Sequence, residues 1–103
     1  MRNSTYLSRN IDDIPNGSIL LFNSPIVVPI LVLFSGTLGK YGYDLNTGVC
    51  WFVPHEQINY IREKQIKSIW IHKAKQNIKY RLKSGWISNL DYIEALAKIK
   101  EYE

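Results

Sequence analysis

The stretch Lys67-Ser68-Ile69-Trp70-Ile71-His72-Lys73 can be read in two ways, and the choice decides the fold. Taken alone it alternates, as a half-buried strand does. Taken with its neighbours on both sides, Ile66, Trp70, Ala74, Ile78 and Leu82 recur at i+4 steps, which draws one apolar line down a helix. We adopt the longer pattern and predict a helix from Ile66 that stops at Ser84-Gly85. Gly85 is placed as the left-handed residue after the last turn, with Trp86 as the apolar contact of the cap. A second helix starts at Ser88, an N-cap, with Asp91 near the positive end of the helix dipole. Tyr92, Ile93, Leu96 and Ile99 are its expected apolar face, and Glu94 and Lys98 form a favourable i,i+4 pair on the other.

Upstream, Pro54 suits a first helical turn. Residues 55–64 are expected to form a short helix with Ile58 and Ile61 inward, so that the whole of 55–103 is helical. Before Pro54 the composition changes, and turn residues cut the chain into short runs. Pro15-Asn16-Gly17 opens a strand at 18–22, and a second apolar strand covers 26–34. Pro29 cannot donate to a ladder, which places that strand at an edge or gives it a bulge there. Residues 41–45 and 49–53 read as a hairpin around Asn46-Thr47-Gly48. Gly36, Gly39 and Gly42 bend the approach to it. The expected fold is α+β, one domain over 1–103. A small, strongly bent antiparallel sheet in 18–53, barrel-like at its extreme, precedes a C-terminal helical hairpin.

Two local resemblances accompany this reading. Tyr43-Asp44-Leu45-Asn46-Thr47-Gly48-Val49-Cys50-Trp51-Phe52 resembles one blade edge of a quinoprotein-type β-propeller repeat, which carries a similar Asp, Thr-Gly and Trp. It occurs once where a propeller needs several copies, so the likeness is one of turn chemistry and implies no function. Asn16-Gly17-Ser18-Ile19-Leu20-Leu21-Phe22 resembles the catalytic strand of cysteine peptidase-like barrels. The permuted forms need a histidine within 26–34, which holds none, so the resemblance implies no catalytic apparatus.

Composition bounds the function. A 46% apolar and 21% charged chain is near the soluble average, which argues against disorder and against a polytopic membrane protein. The apolar run 19–34 is broken by Pro25 and Pro29 and reads as buried strands, so no membrane partner is expected. Cys50 is the single cysteine and makes no internal disulfide, which fits a buried thiol in a cytoplasmic protein. Cys50, His55, Glu56 and His72 lack the spacing of a zinc site or a Cys–His pair, and no phosphate loop or paired carboxylate is present. A non-catalytic chain without metal or cofactor is expected.

Charge is the strongest signal. Between Arg62 and Lys83 lie eight cations and one acid, a local +7 against +4 for the whole chain. On a helix His72, Lys75, Gln76, Lys79 and Lys83 fall on one polar stripe, with Lys64 just upstream. Lys67 and Arg81 intrude on the apolar arc. Such a stripe suits a phosphate backbone, and lysine in place of arginine argues against base-edge reading. Tyr41 and Tyr43 share one strand face and are the candidate exposed aromatics. Two functions fit these features. One is nucleic-acid binding without strong sequence specificity. The other is a phage or mobile-element accessory protein, of inhibitor or immunity type, docking on one protein target that is acidic at the contact. Fourteen Ile, nine Lys and eight Asn against four Arg fit an AT-rich genome of that kind. A homodimer through 26–34 or the last helix is a further expectation.

Overall fold

The computed structural model describes residues 14–23, 26–35, 39–54, 61–62 and 66–103. Within them the layout is α+β: an antiparallel sheet in the N-terminal half, then two helices. The strands are β1 Ile19–Asn23, β2 Val27–Ser35, β3 Gly39–Asp44, β4 Cys50–Pro54 and the two-residue β5 Ile61–Arg62. The helices are α1 Ser68–Lys83 and α2 Asn89–Lys100. The sheet order is β4-β3-β2-β1-β5, with every neighbouring pair antiparallel. β5 corrects the short helix expected over 55–64. Ile61 and Arg62 pair with Phe22 and Leu21 of β1, and the remainder of that segment lies outside the described residues.

β2 is also corrected: it is central, hydrogen-bonded to β1 on one side and β3 on the other, so it offers no free edge for a dimer. Pro29 is tolerated because its backbone polar groups face the end of β3. Its carbonyl accepts from Leu45 N–H at 2.9 Å, just past the last residue of that strand, where a missing donor costs no ladder bond. The register slip falls at Leu33 instead, between Val32 and Phe34.

Alternation sorts the sheet into two faces. Ile19, Leu21, Leu31 and Leu33 face the helices and join Trp70, Ile71, Ala74, Ile78, Ala95 and Ile99 in the larger core. Leu20, Val32 and Val53 form a second cluster with Ile14 on the opposite face, with Phe22 packed against it. On that face the Phe22 and Trp51 ring centroids are 5.9 Å apart. Their strands are three positions apart, about 14 Å in a flat sheet, so the sheet curls around this face. It does not close into a barrel: β4 and β5 are the two ends of the strand order.

The decisive stretch is helical. Lys67 is extended (φ −66°, ψ 143°) and α1 begins at Ser68. It ends as a Schellman motif: Trp86 N–H donates to the Arg81 carbonyl at 2.8 Å, Gly85 N–H to that of Leu82 at 3.2 Å, and Gly85 has φ +79°. Trp86, the expected apolar contact of the cap, is 64% exposed, whereas the next residue, Ile87, is buried in the larger core. No atom lies within 4 Å of a Cβ built on Gly85. Gly85→Ala is therefore expected to cost about 1 kcal/mol, from conformation alone. A melting temperature equal to or above that of the wild type would show that the motif does not hold α1.

α2 has the expected N-cap, with Ser88 Oγ accepting from Asp91 N–H at 3.1 Å. Its inner face is Tyr92, Ala95, Leu96 and Ile99, whereas Ile93, expected inside, is exposed. The reason lies in the Pro15–Gly17 turn. Gly17 (φ +94°) packs so closely that a Cβ there would meet the Ala95 carbonyl oxygen at 2.3 Å. Only a small residue of α2 fits against that turn, which rotates Ala95 inward and Ile93 out. At the end of α2 the Tyr102 hydroxyl accepts from Ile19 N–H at 2.8 Å, satisfying a β1 donor beyond the reach of the short β5.

Candidate functional site

α1 carries five cations, Lys73, Lys75, Lys79, Arg81 and Lys83, and no acidic residue. Lys75, Lys79 and Lys83 succeed one another at i,i+4, a like-charge ladder that destabilises an isolated helix by about 0.2–0.5 kcal/mol per pair. Nor does the other end help: Lys67 at the N-cap makes no side-chain capping bond. The helix is held by Trp70, Ile71, Ala74 and Ile78, which are buried in the larger core. Local charge and global fold disagree here, and such conflicts are expected where a surface has a task.

The structure keeps most of the predicted stripe and removes one member. His72, Gln76, Lys79 and Lys83 are exposed on the outward face. Lys75 instead turns towards the chain's last residue, where its Nζ pairs with the Glu103 carboxylate. Lys64 lies outside the described residues. Two residues that the sequence did not single out complete the face: Lys73, partly exposed, and Tyr80, 63% exposed. Among the described residues, Lys73, Lys79 and Lys83 have no acidic partner. Tyr80 immediately precedes Arg81 and lies one turn before Lys83, so an aromatic ring stands among the cations.

The two cations within the apolar arc are accounted for by rings. Lys67 Nζ lies 5.1 Å from the Trp70 centroid. The Arg81 guanidinium lies 3.6 Å from that of Tyr43, and its Nε donates to Asn77 Oδ1 at 3.0 Å. Tyr43 is thus half-buried under Arg81, which corrects the expected exposed pair. Tyr41 remains 42% exposed and packs on Phe52, itself 39% exposed, with centroids 4.9 Å apart. Tyr41 pairs with Phe52 in register, and Tyr43 with Cys50. Cys50, on the edge strand β4, is exposed, not buried as expected.

Charge is segregated. Residues 66–87 hold six cations and no acid, whereas 88–103 hold four acids and two cations. The remaining described acid, Asp44, is buried and committed to the hairpin, where its Oδ1 accepts from Asn46 N–H at 2.7 Å. A cleft of about 720 Å³ opens between the start of α1 and the chain end, lined by Ile66, Lys67, His72, Lys75, Tyr102 and Glu103. No group of three or more His, Cys, Asp or Glu among the described residues is placed to hold a metal. No helix among the described residues is long and apolar enough to cross a membrane. Comparison with protein-family models, with curated proteins and with solved structures finds no match.

Proposed function

We propose that this chain is a small non-catalytic cytoplasmic module that binds nucleic acid, without strong sequence specificity, through the outward face of α1. The observation that carries the reading is that Lys73, Lys79 and Lys83 on that face have no acidic partner among the described residues, on a helix with no acid of its own. Three lysines without acidic partners among the described residues can neutralise phosphates and release the counterions condensed on a nucleic-acid backbone. Lysine is a point charge and favours phosphate contact over bidentate reading of base edges. Tyr80 adds a ring that can stack on any base.

The test is a charge swap. Changing Lys73, Lys79 and Lys83 to Glu together replaces three cations by three acids on an exposed face, where substitutions usually cost within about 0.5 kcal/mol each. Binding to a random-sequence oligonucleotide at low salt should be lost while the melting curve stays near wild type. The milder change of all three to Gln should lower the log–log salt slope by about 2–3. Wild-type protein that binds no nucleic acid at low salt would reject the reading.

A second reading has an observation of its own. The outward face of α2 exposes Leu90 (78%) and Ile93 (61%), with Trp86 at its head and Ala97 one turn on. An apolar stripe of this kind on a small domain suits a protein contact, as an inhibitor or accessory protein docking on one target requires. Leu90→Lys with Ile93→Lys should abolish such a contact and leave nucleic-acid binding intact, which separates the two readings.

A further inference from the structure

We infer that the ligand is single-stranded, and that its bases stack on the Tyr41–Phe52 pair while its phosphates run along α1; this rests on the nucleic-acid reading above. α1 packs over the end of β3 that leads into the β3–β4 turn: Trp70 Nε1 donates to Asn46 Oδ1 in that turn at 3.2 Å and Arg81 stacks on Tyr43. The outer part of the same sheet face is left open. There Tyr41, Cys50 and Phe52 are all exposed. Two exposed rings in contact at a sheet edge are costly in water and invite a partner.

The partner is chosen by what adjoins the rings. Tyr43 precedes Asp44 on β3 and shares its face with Tyr41, about 7 Å along the strand. Its ring is capped by a permanent cation, Arg81. The path Phe52–Tyr41–Tyr43–Arg81 therefore runs from apolar rings to the basic helix without a described acid on it. An apolar peptide would use the rings and waste the cations, and an acidic one would do the reverse. A nucleotide chain uses both, because each base offers a flat face and each phosphate a charge. A duplex hides its base faces in the stack, so rings on a surface reward only the unpaired strand.

The experiment compares DNA and RNA single strands of about 12 nucleotides with the DNA duplex of the same sequence, by fluorescence anisotropy on the full chain. Single strands should bind more tightly than the duplex. Tyr41→Ala and Phe52→Ala should each weaken single-strand binding by about 5–150-fold and leave duplex binding within about twofold. Tyr41→Phe and Phe52→Tyr keep the rings and should keep the affinity. Cys50 supplies a readout in unaltered protein: its thiol shares the face with Phe52, and bound single strand should slow its reaction with a thiol reagent. Better binding of DNA or of RNA names the source of the strand and leaves the site in place. Equal affinity for strand and duplex, unchanged by the alanine variants and with Cys50 unprotected, overturns the inference and leaves charge-driven binding standing. Absence of binding to all three removes both. Protection of Cys50 by polyglutamate as strong as by the oligonucleotides would assign the face to an acidic protein instead.

Discussion

Gly17→Ala is expected to destabilise the protein by about 2–5 kcal/mol, a large share of the stability of a small domain. Two costs add at this position. The residue sits at φ +94°, which an L side chain adopts at a penalty of about 1–2 kcal/mol. The new Cβ would also lie 2.3 Å from the Ala95 carbonyl oxygen and 2.7 Å from its Cα. Those are backbone atoms in the middle of α2, so relief requires the helix to move, and overpacking of that kind costs a further 1–3 kcal/mol or so. A domain of this size loses roughly 4–8 °C for each kcal/mol. The melting temperature should fall by at least about 8 °C. A fall of only a few degrees would mean that α2 does not rest on the Pro15–Gly17 turn.

Trp70→Ala should cost about 3–5 kcal/mol. The indole is 7% exposed and belongs to the larger core, which also holds Ile66, Ala74 and Leu45. Its Nε1–H also donates to Asn46, tying α1 to the β3–β4 turn. Trp70→Phe removes only the hydrogen bond and part of the volume. It should fall between wild type and alanine, and urea midpoints of the three proteins would rank them. A midpoint for Trp70→Ala indistinguishable from wild type would return the 67–73 stretch to its other reading, a surface strand.

What is legible in the sequence is what local chemistry decides. Gly85 ends α1 and Ser88 starts α2 because a left-handed residue and a hydroxyl cap each act within a few residues. The Pro15–Gly17 turn is local in the same way. What stays hidden depends on distant partners. Ile93 and Ala95 both fit an inner face of α2 by spacing, and only the approach of Gly17 chooses between them. Pro29 argues for an edge strand because nothing nearby shows that β3 will end opposite it. β5 is too short to carry a pattern.

The candidate site divides along the same line. Lys79 and Lys83 are legible because a helical wheel fixes their direction once the apolar line of Ile66, Trp70, Ala74 and Ile78 is drawn. The same wheel keeps Lys75, since pairing with Glu103 depends on how α2 folds back. Alternation places Tyr41 on an open strand face, but Tyr80 is one among many aromatics, and a ring gives no local sign of whether the core will take it. Alternation leaves Tyr43 exposed because a strand pattern cannot foresee Arg81 arriving from α1.

On this proposal the outward face of α1 and the open end of the β3–β4 sheet face both receive nucleic acid. The most direct measurement is a titration of isotope-labelled protein with a single-stranded oligonucleotide, following each backbone amide by NMR; at 12.0 kDa the chain suits it. Shifts should cluster on Lys73, Gln76, Lys79, Tyr80 and Lys83 and on Tyr41, Cys50 and Phe52, with the amides of Leu90, Ile93 and Ala97 unmoved. Shifts confined to α2, or none at any ratio of oligonucleotide to protein at low salt, would contradict it.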